Sequence, residues 1–138
     1  MNNLDKESVI GISALLVHAA HIDEIYTKHE KDLILEFIKS YLSDVKADDI
    51  LKKAENIEKN SNQLLNYTNI IKKNSMDIKK DIVEHLWKVI ISDNSVDQYE
   101  SNLMRRICGL IYFPDKECAD IKLKLLQSIC LILLKLNV

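Results

Sequence analysis

Apolar residues recur at steps of three and four along most of this chain. That spacing places them on one face of an α-helix, and no segment alternates with the period of two that is typical of a strand. The pattern therefore predicts an all-α protein of about seven helices. The first predicted helix runs from Asp5 to His21, and the second begins after Thr27. Two further helices lie within 44–73 and are separated by a break at 59–62. The last three run from Ser75 to Ser92, from Gln98 to Ile111 and from Pro114 onward.

Two short acidic segments interrupt this pattern. One runs from Asp23 to Glu30 and the other from Asp93 to Glu100, so that each Asp and each Glu recurs 70 positions later. Helical spacing precedes and follows both segments. The sequence thus predicts an internal repeat of two helix–acidic turn–helix units, which would share one core and be closed by the last helix.

The last predicted helix is apolar on nearly all sides, so it should be a buried strut or a seam against another subunit. Its apolar residues include Ile121, Leu125, Leu126, Ile129, Cys130, Ile132, Leu133 and Leu136. Three cysteines, Cys108, Cys118 and Cys130, lack CxxC spacing and are interpreted as core thiols.

Composition supports a single helical domain over residues 1–138. The chain has 47% hydrophobic and 29% charged residues. Its two Gly and one Pro are too few turn-forming residues for an all-β fold. A net charge of −2 gives no reason to expect nucleic acid. The longest apolar run, Ile129 to Leu134, is far shorter than the roughly 20 residues of a spanning helix, so we expect a cytoplasmic protein without membrane insertion.

The acidic turns have two interpretations. Thr27 with Glu30, and Asp97 with Glu100, have the spacing of a capping box, which satisfies free N–H groups at the start of a helix. The same order of residues also matches the second half of a calcium-binding loop. Ala19 and Val89 stand where the first carboxylate ligand of such a loop would be, so the match to an EF-hand is only partial.

The turns and their flanks resemble a known family. Leu15 to Asp23 followed by Glu30 to Ile34 is similar to the first half of the TerB-like (tellurite-resistance TerB) family. The second half is closer: Leu86-Trp87, then Asp93, then Tyr99-Glu100, then Arg105-Arg106-Ile107 follow the family's order of Leu-Trp, Ala-Asp-Gly, Tyr-Glu and Arg-Arg-Ile. Leu64 to Thr68 resembles a weaker middle motif.

The resemblance implies a helical bundle of about seven helices in a bacterial intracellular protein without established catalytic activity. It implies a link to tellurite or general stress resistance and a divalent cation, Ca²⁺ or Mg²⁺, at an acidic site. The matching candidates are Asp23, Glu30, Asp93, Asp97 and Glu100. Arg105 and Arg106, one helical turn later, are candidates for binding or for neutralising these carboxylates.

Other chemistries remain as alternatives. His18 and His21 stand one turn apart, with Asp23 and His29 close in sequence, and would suit zinc or nickel, although no fourth ligand is evident. The other interpretation is that they are partly exposed histidines at a helix end, where the negative end of the helix favours them. A metal-dependent hydrolase would need a group that activates water, and the sequence offers no dedicated candidate. The leading hypothesis is a non-enzymatic binding or scaffold module. A metal-free protein–protein interaction domain, with a protein partner or a second copy on the last helix, is the alternative.

Overall fold

The computed structural model describes residues 4–21, 26–43, 46–61, 64–91 and 98–136, and these contain seven α-helices and no strand. The predicted all-α class is confirmed, and the predicted helix ends lie within one or two residues of those observed. The helices are α1 (Lys6–Ala20), α2 (Lys28–Tyr41), α3 (Ala47–Asn60), α4 (Leu64–Lys72), α5 (Met76–Ile91), α6 (Gln98–Leu110) and α7 (Asp115–Leu136).

The first helix lies at the centre of the bundle. Every residue from Val9 to Val17 is buried, because α2, α3, α4 and α5 all pack against α1. Gly11 allows a close approach of α4, because a Cβ at this position would collide with the Cδ1 atom of Ile70. Asp5 begins the helix by accepting a hydrogen bond of 2.8 Å from the backbone N–H of Ser8.

The second helix runs antiparallel to α5. Near one end the Tyr41 hydroxyl donates a hydrogen bond to Asp81, and the Phe37 and His85 rings meet at 5.1 Å. Near the other end His29 and Ile91 line the same groove. The beginning of α2 and the end of α5 therefore lie together, and we call this the corner end of the bundle.

The third helix also finishes at the corner end. Glu58, near the end of α3, accepts hydrogen bonds from residues at the end of α1, and Tyr26, just before α2, lines a groove with Glu55 and Glu58. At the other end of these helices, Lys6 of α1 and Asp49 of α3 line a common groove. Helices α1 and α3 therefore run parallel.

A tight turn joins α6 to α7. The N–H of Phe113 bonds the carbonyl of Cys108 at 2.8 Å, and the N–H of Tyr112 bonds the carbonyl of Gly109 at 3.4 Å. These are the two hydrogen bonds of a Schellman motif, whose left-handed position favours glycine. Tyr112 occupies that position with φ of 60°.

The last helix is buried over only part of its length, although a buried strut is one of the two roles that the sequence predicts. Ile121 is buried and Leu125, Leu126 and Ile129 are partly buried, as expected. Leu123, Leu131 and Leu134 are 54%, 59% and 64% exposed, and Cys130 is exposed as well. The prediction of Cys130 as a core thiol is wrong. Ile129 lines a groove together with Ile91, the last residue of α5, and the exposed Leu131 and Leu134 follow it in α7.

The two predicted units have helices in register. Lys6 and Lys28, which begin α1 and α2, are each 70 positions before Met76 and Gln98, which begin α5 and α6. Leu16 with Leu86 and Phe37 with Ile107 are buried pairs at the same offset. That the units are copies of one ancestral hairpin stays a prediction.

Candidate functional site

The first acidic turn contains a complete capping box at the start of α2. The Thr27 hydroxyl accepts a hydrogen bond of 3.2 Å from the N–H of Glu30, and Glu30 Oε1 accepts one of 2.8 Å from the N–H of Thr27. The Thr27 hydroxyl also donates to Glu30 Oε1 at 3.1 Å. Glu30 is only 5% exposed, so its carboxylate is held in place by the helix end.

The second acidic turn is described only from α6 onward. Glu100 is 5% exposed in the first turn of α6, as Glu30 is in α2. The candidate ligands Asp23, Asp93 and Asp97 lie outside the described residues. Of the five predicted carboxylates, the structure thus places two, and each is buried at the start of a helix.

The helix ends that flank the two acidic segments meet at the corner end. The groove there is lined by His29 and Leu33 of α2, by Lys88 and Ile91 of α5, and by residues of α7. Ile91 is the last residue of α5, and α6 begins at Gln98. The first turn of α2 and the last turn of α5, which lie next to the two acidic segments, are therefore neighbours.

A separate polar cluster joins α1 to α3. His18 Nδ1 lies 3.4 Å from Glu58 Oε1, and His21 Nδ1 lies 3.1 Å from Glu58 Oε2. One carboxylate thereby holds both histidines, while His29 lies in the groove between α2, α5 and α7. Among the described residues no group of three or more His, Cys, Asp or Glu side chains is arranged to hold a metal. His18 and His21 are partly exposed at the end of α1, as the alternative interpretation expects, and Asp23 lies outside the described residues.

Tyr26 lies beside this cluster. Its ring meets the His21 ring edge-on at 4.8 Å, and Lys31 Nζ lies 5.0 Å from the ring centre. Burial and the facing Glu55 carboxylate raise the pKa of the Tyr26 hydroxyl well above its usual range. The hydroxyl therefore stays protonated and neutral at any physiological pH.

Arg105 and Arg106 are both exposed, and Arg105 lines a groove between α5, α6 and α7. Trp87, Ser101, Asp115, Lys116, Cys118, Ala119 and Lys122 form the rest of its described lining. Lys122 Nζ lies 5.4 Å from the Trp87 ring centre. The groove thus combines three cations with one carboxylate and an aromatic wall.

Two cysteines that the sequence did not pair come together under this groove. Cys108 is fully buried and Cys118 is 5% exposed, and each thiol shifts the pKa of the other. The neighbouring Cys108 thiol lowers the pKa of the Cys118 thiol and Lys122 assists it, whereas burial and Asp115 oppose this. The Cys118 thiol and burial raise the pKa of Cys108.

The pairing has a signal in the sequence that spacing rules overlook. Cys108 stands one helical turn before the α6–α7 turn, and Cys118 stands one helical turn after it. Residues at such positions of a helical hairpin face each other across the turn. The two cysteines are ten residues apart and so lack CxxC spacing. All three cysteines are therefore interpreted from the sequence as separate core thiols.

These features define a helical domain built on a central α1, with buried glutamates at the starts of α2 and α6. The model of the family described as tellurite resistance protein TerB matches residues 10–123. The chain belongs to the TerB family, as its resemblance predicted. Neither the curated proteins nor the solved structures contain a match. No helix in the described part of the chain is long and apolar enough to cross a membrane.

Proposed function

We propose that this chain is a non-enzymatic binding module that takes a divalent cation, Ca²⁺ or Mg²⁺, at the corner end. The proposal covers residues 1–138 as a single domain that acts in the bacterial cytoplasm in resistance to tellurite or to general stress. Membership of the TerB family supports the link to tellurite resistance. The binding of a cation goes beyond family membership and is supported by the arrangement of helix ends at the corner end.

The observation that carries the cation proposal is the meeting of helix ends. The first turn of α2 and the last turn of α5 line one groove. In the sequence these two turns adjoin the segments that contain Asp23, Asp93 and Asp97. Hard cations prefer several carboxylate oxygens from short segments. Carboxylates brought together without a cation repel one another, so an ion there would stabilise the fold.

Thermal unfolding in the presence of CaCl₂ or MgCl₂ tests the proposal. A cation at a hundred times its dissociation constant stabilises the native state by about 2.7 kcal/mol, which corresponds to a rise of several degrees in Tm. Asp93→Asn should abolish the rise. Asp120→Asn, which removes an exposed carboxylate from α7, should leave it unchanged. Equal Tm values with and without either cation would rule the site out.

The second candidate function, a metal-free interaction domain, rests on α7. Leu131 and Leu134 expose 59% and 64% of their surface in the last two turns of the helix. An apolar helix face of this kind suits a second copy of the chain. Light scattering over a range of concentrations should then show a dimer that Leu131→Glu with Leu134→Glu dissociates. A monomer at every concentration would contradict self-association.

A further inference from the structure

The groove between α5, α6 and α7, which we call the Trp87 groove, has an excess of positive charge. Arg105, Lys116 and Lys122 line it, and Asp115 is the one carboxylate in its described lining. Three cations against one carboxylate leave that lining with a net charge of +2. The whole chain has a net charge of −2, so the excess is local to the groove and attracts an anion there.

The three cations are available to a ligand. The ion pairs within the described part of the chain are those of His18, His21 and His85. No described carboxylate therefore lies within ion-pair distance of a cation of the Trp87 groove. A cationic group without a paired carboxylate can give its hydrogen bonds and its charge to a bound anion.

Lys122 is the cation that the groove holds in place. Its side chain is half-buried, its Nζ lies 5.4 Å from the centre of the Trp87 ring, and the Ser101 hydroxyl lies 3.5 Å from Nζ. Neither neighbour neutralises the ammonium charge. Because an ammonium group can only donate, the Ser101 oxygen is the acceptor, and its own proton is left for another acceptor. A cation held in this way loses little conformational freedom when it binds a ligand.

The chemistry of the lining fits a phosphate group. The planar guanidinium of Arg105 can donate two parallel hydrogen bonds to two phosphate oxygens, and lysines at positions 116 and 122 add charge from the next helix. A phosphate group carries a charge of about −2 at neutral pH, which balances the lining. The groove has a volume of about 370 Å³, and small-molecule sites have volumes of roughly 300–1,000 Å³.

We propose that the Trp87 groove binds phosphate, either as the free ion or as the phosphate group of a small ester, between Arg105, Lys116 and Lys122. The site shares no residue with the described lining of the groove at the corner end. The phosphate proposal and the cation proposal therefore do not depend on each other.

The fluorescence of Trp87 provides the test, because Trp87 is the single tryptophan of the chain and lines the groove. The full chain is titrated with sodium phosphate at neutral pH and fixed ionic strength. Divalent cations are left out, since they bind phosphate themselves. We expect a saturable change in fluorescence that sodium chloride at the same ionic strength does not produce. Calorimetry of the same titration detects binding that leaves the indole unchanged.

A second titration with glycerol 3-phosphate distinguishes the two sources of the phosphate group. Tighter binding of the ester would identify organic phosphates as the ligand class, because the remainder of the molecule then contacts the groove as well. Equal or tighter binding of inorganic phosphate would identify the free ion. Either result supports a phosphate site.

Matched variants assign the site to the groove. Lys122→Gln should weaken phosphate binding about tenfold, because the ligand loses a charged donor. Lys124→Gln makes the same change of charge at an exposed position of α7 outside the described lining and should leave the dissociation constant unchanged. Arg105→Gln should also weaken binding about tenfold. Arg105 is exposed, so this variant keeps the fold even if the Lys122 variant does not.

Two results would overturn the proposal. The first is a titration in which neither phosphate nor glycerol 3-phosphate gives a saturable signal by fluorescence or calorimetry. The second is equal weakening by Lys122→Gln and Lys124→Gln, which would show that phosphate responds to the overall charge of the protein and not to the Trp87 groove.

Discussion

The indole Nε1–H of Trp87 donates a hydrogen bond of 3.1 Å to the backbone carbonyl of Cys118. This bond joins the next-to-last turn of α5 to the first turn of α7. The indole is 3% exposed, so the bond forms away from water. It fixes the position of α7 along the axis of α5 and thereby determines which residues of α7 pack against α5.

Replacing Trp87 by Phe tests this link. The change removes the only donor of the side chain and part of its buried surface, and we expect the free energy of unfolding to fall by about 2 kcal/mol. Urea denaturation followed by circular dichroism measures the change. A loss below about 0.5 kcal/mol would mean that the hydrogen bond does not hold α7 in place.

The left-handed residue between α6 and α7 predicts a stabilising substitution. Tyr112 has φ of 60°, a conformation that costs a residue with a Cβ about 1 kcal/mol relative to glycine. Its ring is exposed and lies 4.7 Å from Lys72 Nζ, a contact worth about 0.5 kcal/mol. Tyr112→Gly should therefore raise the free energy of unfolding by about 0.5 kcal/mol.

The matched control for this position is Tyr112→Ala. It loses the ring contact with Lys72 and keeps the strained backbone, so its stability should fall slightly. Thermal unfolding compares the three proteins. A glycine variant no more stable than the alanine variant would show that the backbone at Tyr112 is not strained.

A buried hydroxyl in α1 predicts a second stabilising change. Ser13 is fully buried, and its Oγ finds no hydrogen-bond partner among the residues that the structure describes. Burying an unpaired hydroxyl costs about 1–3 kcal/mol, and alanine is the better helix former. Ser13→Ala should raise the free energy of unfolding by about 1 kcal/mol. Lower stability in urea denaturation would indicate that the hydroxyl has a partner.

The capping box of α2 separates a structural role of Glu30 from a role in ion binding. Glu30→Ala removes the acceptor for the N–H of Thr27 and should destabilise the protein by about 1 kcal/mol, with or without divalent cations. Glu36→Ala, an exposed site on the same helix, should change stability by less than about 0.5 kcal/mol. A loss for Glu30→Ala that appears only in CaCl₂ would assign its carboxylate to the cation.

Stability should decrease at alkaline pH because two tyrosines resist ionisation in the fold. Burial and the hydrogen bond to Asp81 raise the pKa of Tyr41 well above its ordinary value of 10.0, and Tyr26 is raised as well. An acid whose folded pKa is raised contributes its full stability below the unfolded pKa, and that contribution is lost as the pH rises above it. Stability should thus fall above about pH 10.

The double variant Tyr26→Phe with Tyr41→Phe tests this pH dependence. It is expected to be less stable at neutral pH, because Asp81 loses a donor. Its free energy of unfolding should then vary less between neutral and alkaline pH than that of the unmodified chain. Parallel curves for the two proteins in pH-dependent thermal unfolding would contradict a raised pKa at both hydroxyls.

The helices were predictable because burial imposes a regular period on the sequence. Asp5 and Thr27 cap α1 and α2 with side chains that the sequence displays, so these helix starts were found within a residue. The cover over α7 was not predictable. The run from Ile129 to Leu134 is apolar at every position, so its sequence does not indicate which side the neighbouring helices cover, and the position of Cys130 was predicted wrongly.

The cysteine pair depends on a turn whose chemistry is unusual. A Schellman turn normally shows a glycine or asparagine, and here a tyrosine takes the left-handed position. Without that signal, the angle between α6 and α7 could not be inferred, and neither could the proximity of Cys108 and Cys118. For the acidic turns the sequence supplied the residue types and the capping box. Their joint arrangement stays a prediction, because three of the five carboxylates lie outside the described residues.

The enclosed position of α1 has a consequence for synthesis. Its apolar surface is covered on one side by α5, and the chain between Ala20 and Met76 must be made before that cover exists. While only the first helices have left the ribosome, α1 therefore exposes apolar surface to the solvent. We expect chaperones that hold nascent chains to bind this segment, and to let go once the fifth helix has emerged.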